Sequence, residues 1–174
     1  TVMIRRESDS NSFINNTFAY SGDDVISLYR LGIHIPESNS FTNNIIGKAN
    51  GYDLNITVAG INWTYLIDQK ISNYTLAGKG SIIYIEDSSY GKIKFLEEIN
   101  GTGYNLSSDI RIGHNLIEIN DSNPTISLSK DANLTFYNLT ISGYARPFRN
   151  DIVCISDLCG TLTNVSKVYS FNIT

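Results

Sequence analysis

Eleven Asn-x-Ser/Thr triplets are set into this 174-residue chain, with asparagines at Asn15, Asn55, Asn62, Asn73, Asn100, Asn105, Asn120, Asn133, Asn138, Asn164 and Asn172 and no proline in any middle position. Random placement of the chain's 20 Asn among 33 Ser plus Thr would give about four. The middle residue is apolar in eight of the eleven: Ile56, Trp63, Tyr74, Leu106, Leu134, Leu139, Val165 and Ile173. A strand sends residues i and i+2 to one face and i+1 to the other. Each such triplet therefore reads as strand, its centre in a core and its Asn and hydroxyl in solvent. The same triplet is the acceptor signal for an N-linked glycan, so all eleven asparagines are candidate glycan sites. An Asn- and Thr-rich β protein also scatters unused triplets, and intact mass separates the two readings.

Only 17% of residues are charged against 41% hydrophobic, so neutral polar groups or sugars must keep the chain in solution. A net charge of −4 offers no basic surface for a phosphate backbone, which excludes nucleic acid as a partner. No apolar run is long enough for a membrane-spanning helix, and the absence of an apolar N-terminal helix argues against a type IV pilin. The first residue is Thr, which implies a removed leader or a fragment.

Helical periodicity is almost absent. Short β-branched and aromatic runs recur between Gly, Asn, Asp and Ser clusters, which predicts strands over 12–20, 25–35, 52–58, 63–67, 80–86, 92–99, 109–119, 125–129, 132–142 and 165–173. Turns are expected at 21–24, 48–51, 87–91, 100–103 and 120–124. The fold expected is all-β: an antiparallel β-sandwich, Ig-like or jelly-roll-like, of about ten strands. It would occupy 13–174 as one domain, after a tail over 1–12 whose apolar Val2-Met3-Ile4 could serve as a donor strand. Between 132 and 142 the apolar parity slips near Tyr137, so a bulge there would turn both Asn133 and Asn138 outward.

Cys154 and Cys159, the two cysteines, read as a local disulfide in an exported chain, contributing about 2 kcal/mol. A zinc site adding His34 and His114 lacks ligand spacing. The Asp/Asn clusters at 87–89 and 120–123 lack the spaced acidic pattern of a Ca²⁺ loop. No metal or cofactor is expected beyond N-linked glycans. Lys94, Lys130 and Lys167 are isopeptide candidates by strand position alone.

From Gly91 onward the segments Gly91 to Asn100, Asn105 to Asn115, Ala132 to Ser142, Ala145 to Cys154 and Phe171 to Thr174 resemble a small module recurring in large exported archaeal proteins, S-layer-like and adhesin-like. The resemblance covers about the last half and implies an extracellular, structural, N-glycosylated β domain without catalytic residues. In such modules further residues run on past the last strand as another strand. A chain ending at Thr174 would then expose an edge open to a strand from another copy.

The leading expectation is a structural subunit of an archaeal surface filament, partnered by itself and in contact with a host or neighbouring cell surface. An S-layer lattice component is one alternative. Another is an adhesin or carbohydrate-binding module using Trp63, Tyr65, Tyr74 and Tyr90, although the alternation turns Trp63 and Tyr74 inward. An enzyme is not expected: Asp23-Asp24 and Glu97-Glu98 are adjacent rather than paired across a site. A parallel β-helix carbohydrate enzyme would need rungs of even length, and no fixed repeat period is evident. Few ion pairs and a sugar coat predict tolerance of acid or heat.

Overall fold

The computed structural model describes residues 2–5, 8–18, 22–29, 37–47, 49–56, 61–120, 127–128, 130–139, 148–149, 152–153, 163–165 and 168–173. They form strands β1 (Val2–Arg5), β2 (Ser12–Ile14), β3 (Thr17–Phe18), β4 (Ile26–Tyr29), β5 (Ser40–Thr42), β6 (Ile45–Ile46), β7 (Leu54–Ile56), β8 (Ile61–Ile67), β9 (Tyr74–Asp87), β10 (Gly91–Phe95) and β11 (Ile99–Gly103). After a single helical turn α1 (Leu106–Asp109) come β12 (Ile110–Gly113), β13 (Leu116–Ile119), β14 (Ala132–Phe136), β15 (Phe148–Arg149), β16 (Ile152–Val153), β17 (Thr163–Val165) and β18 (Val168–Ile173). The all-β expectation holds.

The pairing differs from a purely antiparallel sandwich. Among the described residues from β1 to β9 the strands stack in parallel, as in the coils of a β-solenoid. One ladder runs β1, β4, β7 and the start of β9, with Val2, Ile26, Leu54 and Tyr74 in register. A second runs β2, β5, β8 and the end of β9, with Ser12, Ser40, Tyr65 and Tyr84 in register. A third pairs β3 with β6. Val2–Arg5 is thus the outer strand of its own chain's first ladder, paired with Ile26–Tyr29.

Beyond β9 the pairing turns antiparallel. β10 and β11 both lie along β9, and the sheet continues through β10, β14, β18 and β17. β12 and β13 form a hairpin where one strand over 109–119 was expected. The segment expected to turn at 100–103 lies in β11; its glycines belong to a strand pressed against β9.

Stacking equivalent positions puts like side chains on like. Ile4, Leu28, Ile56 and Leu76 form one buried row. Half-buried Phe13 with buried Phe41 and Leu66 forms another, the two Phe rings stacked at 5.1 Å and 8°. Each buried aliphatic or aromatic side chain contributes about 2 kcal/mol, and these rows make the interior of the coils. In β14 the pairing with β10 and β18 is regular from Ala132 to Phe136. The strand then ends, with Asn138 in the left-handed region at φ 54°. The expected bulge is replaced by a strand end, and Asn138 is exposed while Asn133 is half-buried.

Gly91 allows the β9–β10 hairpin to lie under β14: at φ 154°, a Cβ there would stand 2.2 Å from the Thr135 carbonyl oxygen. An exposed ion pair joins Arg111 and Glu118 across the β12–β13 hairpin at 3.4 Å.

Candidate functional site

Corners between the second and third ladders are built by asparagine. Asn15, Asn43 and Asp68 occupy the left-handed region at φ 55°, 48° and 49°, which Asn and Asp tolerate because their short side chains bond locally. The residue after each turns its amide into the stack. Asn44 Oδ1 accepts from the backbone N–H of Asn16 at 2.9 Å and from its Nδ2 at 3.2 Å. Gln69 Oε1 accepts the same two donors from Asn44, each at 3.0 Å. A parallel stack stands at the entrance to the second ladder, where Asn39 Oδ1 accepts from Asn11 N–H at 3.0 Å and Nδ2 at 2.9 Å. Each amide oxygen takes two donors from the coil before it. Asn11 and Asn16 are the first members, both exposed, and their own Oδ1 atoms have no donor among the described residues. With the outer backbone edges of β1, β2 and β3, they form an edge shaped for one more coil.

These asparagines were missed in the sequence although a signal was present. Asn11 to Phe18 reads NSFINNTF and Asn39 to Ile46 reads NSFTNNII. The repeat is 28 residues between these coils and shrinks to 25 at Gln69, which hides the period.

Of the eleven candidate acceptors, Asn15, Asn105, Asn120 and Asn138 are exposed. Asn55, Asn73, Asn100 and Asn133 are half-buried. Asn62, Asn164 and Asn172 lie within β8, β17 and β18, where only the backbone is described. The middle residues Ile56, Tyr74, Leu106 and Leu134 are all buried. Their +2 hydroxyls do not all turn to water: Thr75 and Thr135 are buried at 4% and 3% exposure. Thr75 stands opposite Thr102 in the β9–β11 ladder, and its hydroxyl bonds to that of Thr102 at 2.8 Å. The simple alternation fails where both faces of a strand are occupied.

A second cluster lies on the outer face of the second ladder. The rings of Tyr65 and Tyr84 meet at 5.0 Å. The hydroxyls of Tyr84 and Tyr137 both donate to the Glu86 carboxylate, the latter at 2.8 Å. The Lys92 ammonium lies 5.4 Å from the Tyr84 ring centre and 6.0 Å from that of Tyr137. Burial, then the bond to Glu86, raises the pKa of both phenols well above the usual value. Tyr90 is exposed at the β9–β10 turn. Tyr74 is fully buried and donates to Asp109 at 2.8 Å, so its phenol is also held far above its ordinary pKa, by burial first and the carboxylate second.

Cys154, Cys159, His34 and Lys167 lie outside the described residues. His114 is exposed at the β12–β13 turn. At the Asp/Asn cluster over 87–89 carboxylates cap the loop: Asp87 accepts from Ser89 N–H at 2.9 Å and Asp68 from Ser88 N–H at 2.7 Å. No three His, Cys, Asp or Glu converge as metal ligands among the described residues, and no described helix is long and apolar enough to cross a membrane. No protein-family model, curated protein or solved structure matches this chain.

Proposed function

We propose that this chain is a structural, N-glycosylated subunit of an extracellular archaeal surface filament, and that subunits add to one another at the first-coil edge. The observation that carries the reading is the polarity of the asparagine stacks. Asn39 and Asn44 each accept two donors from the coil before them, and Asn11 and Asn16 present the same acceptor outward beside three strand edges. A segment bringing backbone N–H groups and a side-chain amide at matching spacing meets a ready partner. The density of acceptor triplets, the low charge and the archaeal resemblance of the last half support the surface location. Val2–Arg5 pairs with Ile26–Tyr29 of its own chain, and would have to leave that place to act as the donor strand of a neighbour.

Sedimentation and negative-stain imaging over a concentration series test this. The wild-type chain should assemble into fibres, while Asn11→Asp with Asn16→Asp, which sets two negative charges on the edge, should stay single with an unchanged circular dichroism spectrum. A wild-type chain that stays single throughout, or a variant that assembles equally, removes the filament reading.

A carbohydrate-binding adhesin module is the second reading, favoured by the Tyr65, Tyr84 and Tyr137 cluster beside Lys92, since aromatic rings with adjacent polar groups suit sugar rings. Glycan-array binding lost in Tyr65→Ala would support it over the first.

A further inference from the structure

We infer that the fold divides the acceptor triplets into presented and withheld sets: Asn15 and Asn105 carry glycans, whereas Asn55 and Asn73 stay bare in the folded protein. This rests on the glycoprotein reading above and refines it. An acceptor needs its amide nitrogen free, since the new bond forms there with loss of one of its protons, and its +2 hydroxyl within reach of the transferring enzyme.

The chemistry of each partner fixes which way the amide points. At Asn73 the partner is the Gly51 carbonyl oxygen at 2.9 Å, which only accepts, so the Asn73 nitrogen is turned inward. At Asn55 the partner is the Asp24 carboxylate, again an acceptor, so that nitrogen is engaged as well. At Asn105 the geometry is reversed. The backbone N–H of Ser108, which only donates, binds Oδ1 at 3.2 Å as the cap of α1, and the nitrogen faces solvent. Asn15 follows Asn105: its Oδ1 accepts from Asn43 Nδ2 at 2.9 Å, and the residue is exposed.

The hydroxyls divide the same way. Thr17 and Ser107, the +2 residues of Asn15 and Asn105, are exposed. Thr75, the +2 residue of Asn73, is buried instead, and its hydroxyl is bonded to that of Thr102 at 2.8 Å across β9 and β11. Attaching a sugar at Asn73 would have to break the bond to Gly51 and open the β9–β11 seam.

Glycopeptide mapping of the chain secreted from an N-glycosylating archaeal host tests the division, alongside short synthetic peptides spanning each of the four triplets offered to membranes from the same host. The expected result is glycan on Asn15 and Asn105, none on Asn55 or Asn73, and transfer to all four free peptides. Each of Asn15→Gln and Asn105→Gln should remove one glycan mass, and Asn73→Gln none. Glycan at Asn73 or Asn55 at an occupancy similar to Asn15 overturns the division while leaving the glycoprotein reading intact. Refusal of the Asn55 and Asn73 peptides overturns it too, because local sequence would then set the pattern. A chain bare at every triplet overturns the glycoprotein reading itself, and the division with it.

Discussion

Asn44 sits between two coils as both acceptor and donor: its Oδ1 takes two bonds from Asn16, and its Nδ2 gives bonds to Gln69 Oε1 at 3.0 Å and to the Phe13 carbonyl at 2.9 Å. It is 6% exposed, so removing it strands several polar groups away from water. Asn44→Ala should destabilise the fold by about 3 kcal/mol, measured by urea unfolding. The neighbouring corner tests backbone shape instead of bonding: Asn43→Gly should be tolerated, whereas Asn43→Val, at φ 48°, should cost about 2 kcal/mol.

Tyr74 and Gly103 form a matched pair. A Cβ on Gly103 would stand 2.6 Å from both the Tyr74 ring and the Asp109 carboxylate that the phenol binds. Tyr74→Phe should cost about 1 to 2 kcal/mol by leaving Asp109 without its donor. Gly103→Ala should cost about 3 kcal/mol, because backbone and ring cannot both keep their places. Thermal melts of the two variants and their combination check this, and a Gly103→Ala chain as stable as wild type would contradict it.

Phenol ionisation couples folding to alkaline pH. Tyr74, Tyr84 and Tyr137 have pKa values raised above 10.0 in the folded chain, each by burial first and then by a neighbouring carboxylate. The folded state holds these protons more tightly than the unfolded state does. The stabilisation is complete below pH 10 and is lost as pH rises beyond it. Absorbance titration at 295 nm should show three phenols that ionise only as the protein unfolds, with Tm falling steeply above pH 10.

Gly91→Ala should separate β10 from β14, since the added methyl would meet the Thr135 carbonyl oxygen. We expect a loss of about 3 kcal/mol, together with faster amide exchange that is most pronounced in β14.

Much of the strand content was legible because alternation survives in short windows. Ile26, Leu28, Leu54 and Ile56 are buried and separated by half-buried residues, as the parity of their segments predicts. Strand direction was not legible, because alternation is identical in parallel and antiparallel pairs and only the long-range repeat tells them apart. That repeat exists in NSFINNTF and NSFTNNII, but the third coil replaces Asn-Asn by Asp68-Gln69, which preserves the corner conformation and the amide while erasing the letters. The acceptor triplets were legible as strand, whereas the burial of Thr75 and Thr135 was not: it depends on which distant segment covers the second face, information that no three-residue window contains.

The long strand β9 takes β7 and β8 in parallel on one edge and β10 and β11 antiparallel on the other. Residues such as Leu76 and Ile85 are held from both sides at once. Neither half can therefore open without stripping a border from the other, so the solenoid and the sheet that follows it should melt as a single cooperative unit, with this shared seam surrendering its amide protons last.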